Sequence, residues 1–142
     1  ALKAPARTRK ASVRILGRFK HLRPRAFLDW QKEFADSLDL QFLTLHRAKG
    51  LEADYVFILG CNTGMYGLPS SIEDDPLLGM VLPRAEPFVH AEERWLFYVG
   101  LTRARHRCHV LTRRGLSSPF VRELVASGEA VVFEWDIRGP HL

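Results

Sequence analysis

The sequence predicts an α/β protein with a mainly parallel sheet flanked by helices. Apolar segments of strand length alternate with segments of helical periodicity, and one strand is a continuous apolar run of the kind that is buried on both faces. The 142 residues are enough for one domain with a single core. We divide the chain into a basic linker, residues 1–12, and one α/β domain, residues 13–142.

The first half of the domain carries three strand patterns and one helix pattern. Val13–Leu16 is a short apolar run that predicts a strand. In residues 24–38 apolar side chains recur at spacings of three and four, which predicts a helix with a proline near its start. Gln41–Leu45 and Tyr55–Leu59 are predicted strands, the second of them fully buried.

The second half begins with an irregular segment and then resumes the alternation. Residues 61–86 are rich in glycine and proline, and long connections of this kind are usually functional or mobile. Helical periodicity predicts a helix at Ala91–Ala104. Its first turn carries Glu92 and Glu93, and negative charge at this end is stabilised by the helix dipole. The remaining predicted elements are a strand at Arg107–Thr112, a helix at Pro119–Ala126 and a strand at Val131–Trp135.

Positive charge is concentrated in two regions of a chain whose net charge is +5. The first third has far more basic than acidic residues, and a second cluster begins at the C-terminal end of the predicted second helix: Arg103, Arg105, Arg107, Arg113 and Arg114. Clustered cations favour a polyanionic partner, either nucleic acid or nucleotide phosphate. Charge alone is equally compatible with a solvated basic surface.

Cysteine content and hydropathy exclude several classes of protein. Cys61 and Cys108 lie outside CxxC and metal-ligand spacings, so we expect reduced buried thiols and no metal site. No apolar run approaches the roughly 20 residues that cross a bilayer, and the basic start lacks the apolar stretch of a secretory signal. We therefore expect a cytoplasmic protein without a membrane partner.

The segment Thr44–Glu52 joins two predicted strands and is rich in reactive side chains. It contains a hydroxyl, an imidazole, two cations and a carboxylate, with Gly50 available for a sharp turn or a close approach to a ligand. Ligands of parallel sheets bind where strands end and loops begin. These residues indicate a loop that binds phosphate or nucleic acid, with a basic connecting turn as the alternative.

The segment Glu92–Arg105 is predicted to be a helix followed by cations. Its apolar residues indicate a helix packed on the core. Arg103 and Arg105 follow at the C-terminal end, where positive charge complements the helix dipole. Taken by itself, this segment is compatible with a capping or surface role for both arginines.

Taken together, the two segments resemble motifs V and VI of superfamily 1 helicases of the UvrD/Rep type. Motif V reads roughly T-[IV]-H-x-[AS]-K-G-L-E-x-D-x-V-[FI]-[IL], and residues 44–58 are TLHRAKGLEADYVFI. Motif VI reads E-E-R-R-L-x-Y-V-[AG]-[IL]-T-R-A-[RK], and residues 92–105 are EERWLFYVGLTRAR. The flanks GRFKHLRP, RHRCHVL and SPFVREL resemble the helicase IV group of this family.

The resemblance covers nearly the whole chain and implies a RecA-like fold of the P-loop NTPase type. The chain would be the C-terminal, second motor domain of an ATP-dependent 3′–5′ DNA helicase, or part of it. Thr44 and His46 match positions that contact single-stranded DNA. Lys49, Gly50 and Glu52 match positions that face ATP, with Glu52 near the ribose hydroxyls.

The resemblance also assigns roles in motif VI. Arg103 matches the arginine finger, which reaches the γ-phosphate of ATP held by the first motor domain and stabilises the transition state. Glu93, Arg94 and Tyr98 match supporting positions. The chain departs from the family where Trp95 replaces an arginine, and His90 stands near the usual position of an aspartate that caps the helix.

The absence of two phosphate-binding motifs indicates that this sequence carries only one side of an ATP site. The sequence has no GxxxxGK[ST] P-loop and no acidic Walker B-type segment. The ligands of Mg²⁺ and the phosphate cradle are therefore expected in a first motor domain of the same polypeptide. The implied cofactors are ATP and Mg²⁺, and the implied partners are single-stranded and partially duplex DNA, in a bacterial, nucleoid-associated setting. We expect the isolated chain to hydrolyse no ATP.

Three other interpretations remain open at this point. The chain could be a catalytically inactive helicase-like module that binds nucleic acid, as its basic first third suggests. It could belong to a helicase–nuclease, although no nuclease-like carboxylate cluster is present in these residues. An unrelated nucleotide-binding α/β domain is disfavoured by the missing glycine-rich phosphate loop.

Overall fold

The computed structural model describes residues 9–71 and 90–135. Within these residues it contains strands β1 (Ala11–Gly17), β2 (Leu38–Thr44), β3 (Ala53–Ile58) and β4 (Ala104–Val110), and helices α1 (Phe27–Glu33), α2 (Ala91–Leu101) and α3 (Pro119–Ala126). A short 3-10 turn, Lys20–Leu22, follows β1. None of the helices in the described ranges is long and apolar enough to cross a membrane.

The four strands form one sheet in which all neighbours are parallel. Their order is β2-β1-β3-β4, so the chain adds β2 on one side of β1 and then crosses over to add β3 and β4 on the other. The direction of winding therefore changes between β1 and β3, the kind of position at which parallel sheets bind ligands. This sheet confirms the predicted α/β class.

The helices pack on both faces of the sheet, because successive strand side chains point to opposite faces. On one face, α2 and α3 bury the larger core cluster, which includes Leu16, Leu45, Ile58, Leu96 and Phe120. On the other face, α1 covers a smaller cluster: Val13, Ile15, Phe27 and Leu40. A doubly covered sheet explains why its central strands read as nearly continuous apolar runs.

Helix α2 lies very close to the sheet because of Gly100. A Cβ atom at this position would lie 2.8 Å from both Ile58 Cδ1 and Leu45 Cδ2, closer than carbon atoms normally approach. The contact fixes α2 against the ends of β2 and β3.

The predicted strand at Val131–Trp135 is wrong. These residues have no regular secondary structure, and their side chains are strongly exposed, 79% for Val131 and 86% for Trp135. A short apolar run forms a strand only where a neighbouring strand supplies hydrogen bonds. No strand among the described residues pairs with this segment.

Other elements are confirmed with shifted boundaries. Helix α1 ends at Glu33, well before the predicted Leu38, because Leu38 begins β2 and pairs with Ala11. Helix α2 ends at Leu101, so Arg105 lies in β4 and not in the helix. Parts of the predicted linker and of the 61–86 connection, residues 1–8 and 72–86, fall outside the described residues.

Candidate functional site

The two segments singled out by the sequence meet along helix α2. After β2 ends at Thr44, the loop to β3 runs beside this helix, fixed by the buried side chains of Leu45 and Ala48. At its far end the Ala53 amide donates to the Arg103 carbonyl at 3.0 Å. Helix α2 has 11 residues and is therefore about 16 Å long. The loop runs alongside this length, from the first turn of the helix to Arg103 just after its end.

Thr44 and His46 lie at the carboxyl edge of the sheet, near the first turn of α2. The Thr44 carbonyl accepts hydrogen bonds from the amides of Arg47 and Ala48, which closes a turn directly after the strand. The exposed His46 imidazole lies beside Glu92, with 3.5 Å between Nε2 and Oε1. A hydroxyl and an imidazole are therefore presented next to each other at this edge.

Lys49 and Gly50 occupy the middle of the loop. The Lys49 ammonium lies over the Trp95 ring, 5.2 Å from its centroid, a cation–π geometry. Gly50 has a φ of 79°, in the left-handed region that favours glycine. Trp95, which stands where the helicase family usually has arginine, therefore contacts a lysine that an arginine would repel.

Glu52 lies at the opposite, amino edge of the sheet, where β3 and β4 begin. Its carboxylate is 3.4 Å from Arg105 Nε, and the same guanidinium is 3.5 Å from Asp54. The Ser12 amide and hydroxyl donate to Asp54 at 2.8 and 3.1 Å, and the amide bond is the main reason why the pKa of Asp54 is lowered. Arg105 is thus held in ion pairs.

Arg103 follows α2 directly and lies at the same amino edge as Glu52. Its Nε donates to the Val99 carbonyl at 3.2 Å, and a terminal nitrogen donates to the Thr102 hydroxyl at 3.3 Å. Within the described ranges no carboxylate lies within 4 Å of this guanidinium, unlike that of Arg105. Neutral oxygens position its guanidinium, which has no carboxylate counterion among the described residues.

Glu93 pairs with Arg18, a residue that the sequence did not single out. Arg18 Nε donates to Glu93 Oε1 at 2.7 Å, and both side chains are mostly buried, 21% and 13% exposed. The other carboxylate oxygen accepts from the Ser70 amide at 3.3 Å. Arg18 follows directly after β1, and a cation at the end of a buried strand is the signal that could have identified it.

The other two predicted supporting residues lie on the exposed side of α2. Arg94 pairs with Glu123 of α3 and lies over the Phe120 ring, 4.7 Å from its centroid. The Glu123 carboxylate raises the pKa of Arg94, and Arg94 lowers the pKa of Glu123. The Tyr98 ring is exposed, whereas its backbone carbonyl accepts from Thr102. Arg94 therefore connects α2 to α3, whereas Tyr98 supports the C-terminal end of α2 through its backbone.

The structure separates residues that the sequence placed together in one short loop. Thr44 and His46 are at the carboxyl edge of the sheet, whereas Glu52 and Arg103 are at the amino edge. Only the carboxyl edge has the usual strand-end position of ligand sites in parallel sheets. Two distinct surfaces are therefore connected by one segment that packs along α2.

The described residues form no metal-binding site and contain no activated thiol. The described residues contain no group of three or more His, Cys, Asp or Glu side chains placed to hold a metal ion. Burial raises the pKa of both Cys61 and Cys108 to about 12, so neither thiol is activated as a nucleophile. The available chemistry is that of charged and hydrogen-bonding groups.

Comparison with known proteins gives a family match that covers both segments. Residues 26–114, more than half of the chain, match the family model of the UvrD-like helicase C-terminal domain. The chain is 41% identical over 116 residues to DNA helicase IV of Escherichia coli, covering 79% of this chain and 16% of that protein. It is 39% identical over 74 residues to the ATP-dependent DNA helicase Rep of E. coli, covering 51% of this chain and 9% of that one. It is 40% identical over 68 residues to the ATP-dependent DNA helicase UvrD1 of Mycobacterium tuberculosis, covering 48% of this chain and 7% of that protein.

Proposed function

Since this chain belongs to the UvrD-like helicase C-terminal domain family, we propose that it is the second motor domain of an ATP-dependent 3′–5′ DNA helicase. It spans 16% of DNA helicase IV and 9% of Rep, and the proposed catalytic cycle would also need a first motor domain. The observation that carries the proposal is Arg103, a positioned guanidinium without a carboxylate partner within the described residues, at the edge where Glu52 also lies.

The amino edge would form one wall of the ATP site. Arg103 would reach the γ-phosphate, because a forked cation can bond two of the oxygens over which charge spreads in the transition state. Glu52 would accept hydrogen bonds from the ribose hydroxyls after leaving Arg105. Lys49 would approach the nucleotide by leaving the Trp95 ring, since an ammonium gains more from a phosphate than from a cation–π contact.

The other wall would be supplied by a first motor domain. This sequence contains no GxxxxGK[ST] segment, and the P-loop is the usual cradle of the phosphates and of Mg²⁺ in such motors. The isolated 142-residue chain would accordingly bind ATP weakly and hydrolyse none. Mg²⁺, when bound, would neutralise the developing charge on the phosphates.

The carboxyl edge of the sheet would bind single-stranded DNA. The Thr44 hydroxyl can donate to a phosphate oxygen, and the His46 imidazole can bond a phosphate or stack on a base. Because the loop from Thr44 to Glu52 is packed along α2, a shift at one edge would move the other. This loop would couple ATP-driven closure of the two motor domains to movement on DNA.

Arginine substitution tests the proposal in the complete native polypeptide that carries this sequence. We expect Arg103→Ala to lower DNA-stimulated ATP turnover by about 10³- to 10⁵-fold, the usual contribution of an arginine finger. Arg103→Lys should also be severely impaired, since lysine keeps the charge but loses the fork. The measurement is steady-state phosphate release with saturating oligonucleotide.

Arg122→Ala serves as the matched control, because Arg122 is an exposed cation of α3 that belongs to neither basic cluster. It should retain most of the turnover. If Arg103→Ala hydrolyses ATP as fast as the wild type, the finger assignment is wrong. If the wild-type polypeptide shows no DNA-stimulated turnover at all, the motor function itself is wrong, and an inactive binding module becomes the better interpretation.

A further inference from the structure

An aromatic cluster lies on the surface beyond the end of β1. The rings of Phe19 and His21 are stacked, with 5.5 Å between centroids and an interplanar angle of 13°. Tyr66 contacts both edge-on, at 5.7 Å from Phe19 and 4.7 Å from His21. His21 is exposed and Tyr66 is 53% exposed, so much ring surface remains in contact with water. We call these three residues the aromatic platform.

The platform lies where the sheet changes its direction of winding. Phe19 and His21 follow β1, and Tyr66 belongs to the loop after β3, the two strands on either side of that change. The last residue of β1, Gly17, is paired in register with Thr44. The platform therefore continues the carboxyl edge that carries Thr44, at the position where parallel sheets bind ligands.

The loop that presents Tyr66 is a tightly closed structure. The Leu68 amide donates to the Asn62 carbonyl at 3.1 Å, and the Leu68 side chain is buried in the core. A Cβ at Gly67 would lie 1.9 Å from the Asn62 carbonyl oxygen, so the chain closes this tightly only with glycine there. The loop holds Tyr66 at the surface, where about half of the residue is exposed to water.

Cations flank the platform. Arg18 lies over the Phe19 ring, 5.0 Å from its centroid. Lys20 and Arg23 are exposed, and no carboxylate in the described part of the chain lies within 4 Å of either. Exposed rings interleaved with cations are typical of surfaces that bind single-stranded nucleic acid, because the rings stack on bases and the cations follow phosphates.

We propose that the aromatic platform binds single-stranded DNA by stacking of bases on His21 and Tyr66, with Lys20 and Arg23 directed to the phosphates. This inference rests on the proposed function, and it extends the DNA-binding edge from Thr44 and His46 to the loops after β1 and β3. Stacking tolerates any base, so the platform would add affinity without sequence preference.

The test compares two probes on the complete native polypeptide. Fluorescence anisotropy measures its affinity for a labelled oligothymidylate and for an abasic oligonucleotide of the same length, which keeps the phosphates but offers no bases. We expect wild type to prefer the oligothymidylate. Tyr66→Ala and His21→Ala should each weaken that binding by roughly 5- to 100-fold and leave abasic binding unchanged.

Two further variants separate stacking from general damage. Tyr66→Phe keeps the ring and should keep most of the affinity. Tyr55→Ala removes a ring that also contacts a histidine, His106 at 5.7 Å, but lies toward the amino edge. It should bind both probes as wild type does. Circular dichroism melting checks that each variant is folded.

The outcomes distinguish the platform from the motor function. Equal affinity of wild type for both probes, or Tyr66→Ala binding oligothymidylate as tightly as wild type, would overturn stacking and leave the helicase proposal intact. Loss of affinity in Tyr55→Ala as large as in Tyr66→Ala would also overturn it. If wild type binds neither probe, the proposed function fails together with the platform.

Discussion

Asp54 connects the amino ends of two strands through a reciprocal pair of hydrogen bonds. Its carboxylate accepts from the Ser12 amide at 2.8 Å, and its own amide donates to the Ser12 hydroxyl at 2.9 Å. The Ser12 amide is the main cause that lowers the pKa of Asp54, because that bond favours the charged form. One side chain thus supports the register between β1 and β3.

The pH dependence of this contact has a defined sign. A carboxylate whose pKa is lowered by folding stabilises the folded state above its unfolded pKa, about 3.9, and the stabilisation is lost as pH falls through the folded value. We expect hydrogen-exchange protection of β1 amides to be lower in Asp54→Asn than in wild type at neutral pH. The difference should shrink below about pH 4.

Asp36→Asn is the matched control, because Asp36 is exposed in the turn between α1 and β2. Protection of β1 should be the same in this variant and in wild type at every pH. A difference between Asp54→Asn and wild type that stays constant down to about pH 2 would show that the ionised carboxylate does not stabilise the strand register.

The ion pair of Arg18 and Glu93 shows why some site residues cannot be found from the sequence. The two residues are 75 positions apart, so neither periodicity nor motif spacing connects them. Arg103 and Glu52, by contrast, lie inside two long motifs and can be selected from the amino-acid sequence alone. The contact of Lys49 with Trp95 depends on how the loop lies against α2, which no sequence pattern specifies.

Among the elements, α3 has the clearest local reason to form where it does. Ser118 caps it: its hydroxyl accepts from the Val121 amide at 3.3 Å, and Pro119 occupies the first helical position. The Ser118 side chain is fully buried, and its amide donates to the Cys61 carbonyl at 3.0 Å. The cap therefore also attaches the helix to the loop that follows β3.

Removing this cap should loosen the helix. We expect Ser118→Ala to cost about 1 kcal/mol, the typical value for a lost N-cap, which corresponds to roughly fivefold faster hydrogen exchange of α3 amides. Ser127→Ala removes a hydroxyl that donates to the Leu124 carbonyl at the exposed C-terminal end of the same helix, where water can replace it, and should change exchange by much less. Equal exchange in Ser118→Ala and wild type would rule out the capping role.

Prediction of the elements succeeds where the signal is local and fails where it depends on a partner. Pro119–Ala126 is predicted with correct bounds because its cap and its apolar spacing are both contained in the segment. The apolar content of Val131–Trp135 predicts a strand, although strand formation needs a neighbour. The predicted helix α1 is too long because strand pairing at Leu38 outweighs helix propensity.

At the scale of the whole molecule, two proposed binding surfaces lie at opposite edges of one sheet. The carboxyl edge carries Thr44, His46 and the aromatic platform, and the amino edge carries Glu52 and Arg103. The segment from Thr44 to Glu52 and helix α2 are the connection between them. In the proposed motor domain, nucleotide bound at the amino edge would affect the DNA strand bound at the carboxyl edge.

The net charge of +5 should attract DNA to the molecule as a whole. This electrostatic contribution to affinity can be measured separately from base stacking on the aromatic platform. Binding of single-stranded DNA releases counterions, so the logarithm of affinity falls with the logarithm of salt concentration, with a slope of about −0.7 per neutralised phosphate. Lys20 flanks the aromatic platform as a point charge. Lys20→Ala should therefore reduce the salt slope by about 0.7, whereas Tyr66→Ala should lower affinity at every salt concentration without changing the slope.

The measurement is anisotropy of labelled oligothymidylate bound to the complete polypeptide over a series of potassium chloride concentrations. Lys32→Ala provides the matched control, since Lys32 is an exposed cation in the last turn of α1 on the other face of the sheet. Its slope should equal that of wild type. A slope that falls equally in Lys20→Ala and Lys32→Ala would mean that DNA senses only the total charge. An unchanged slope in Lys20→Ala would place the phosphates away from the loop after β1.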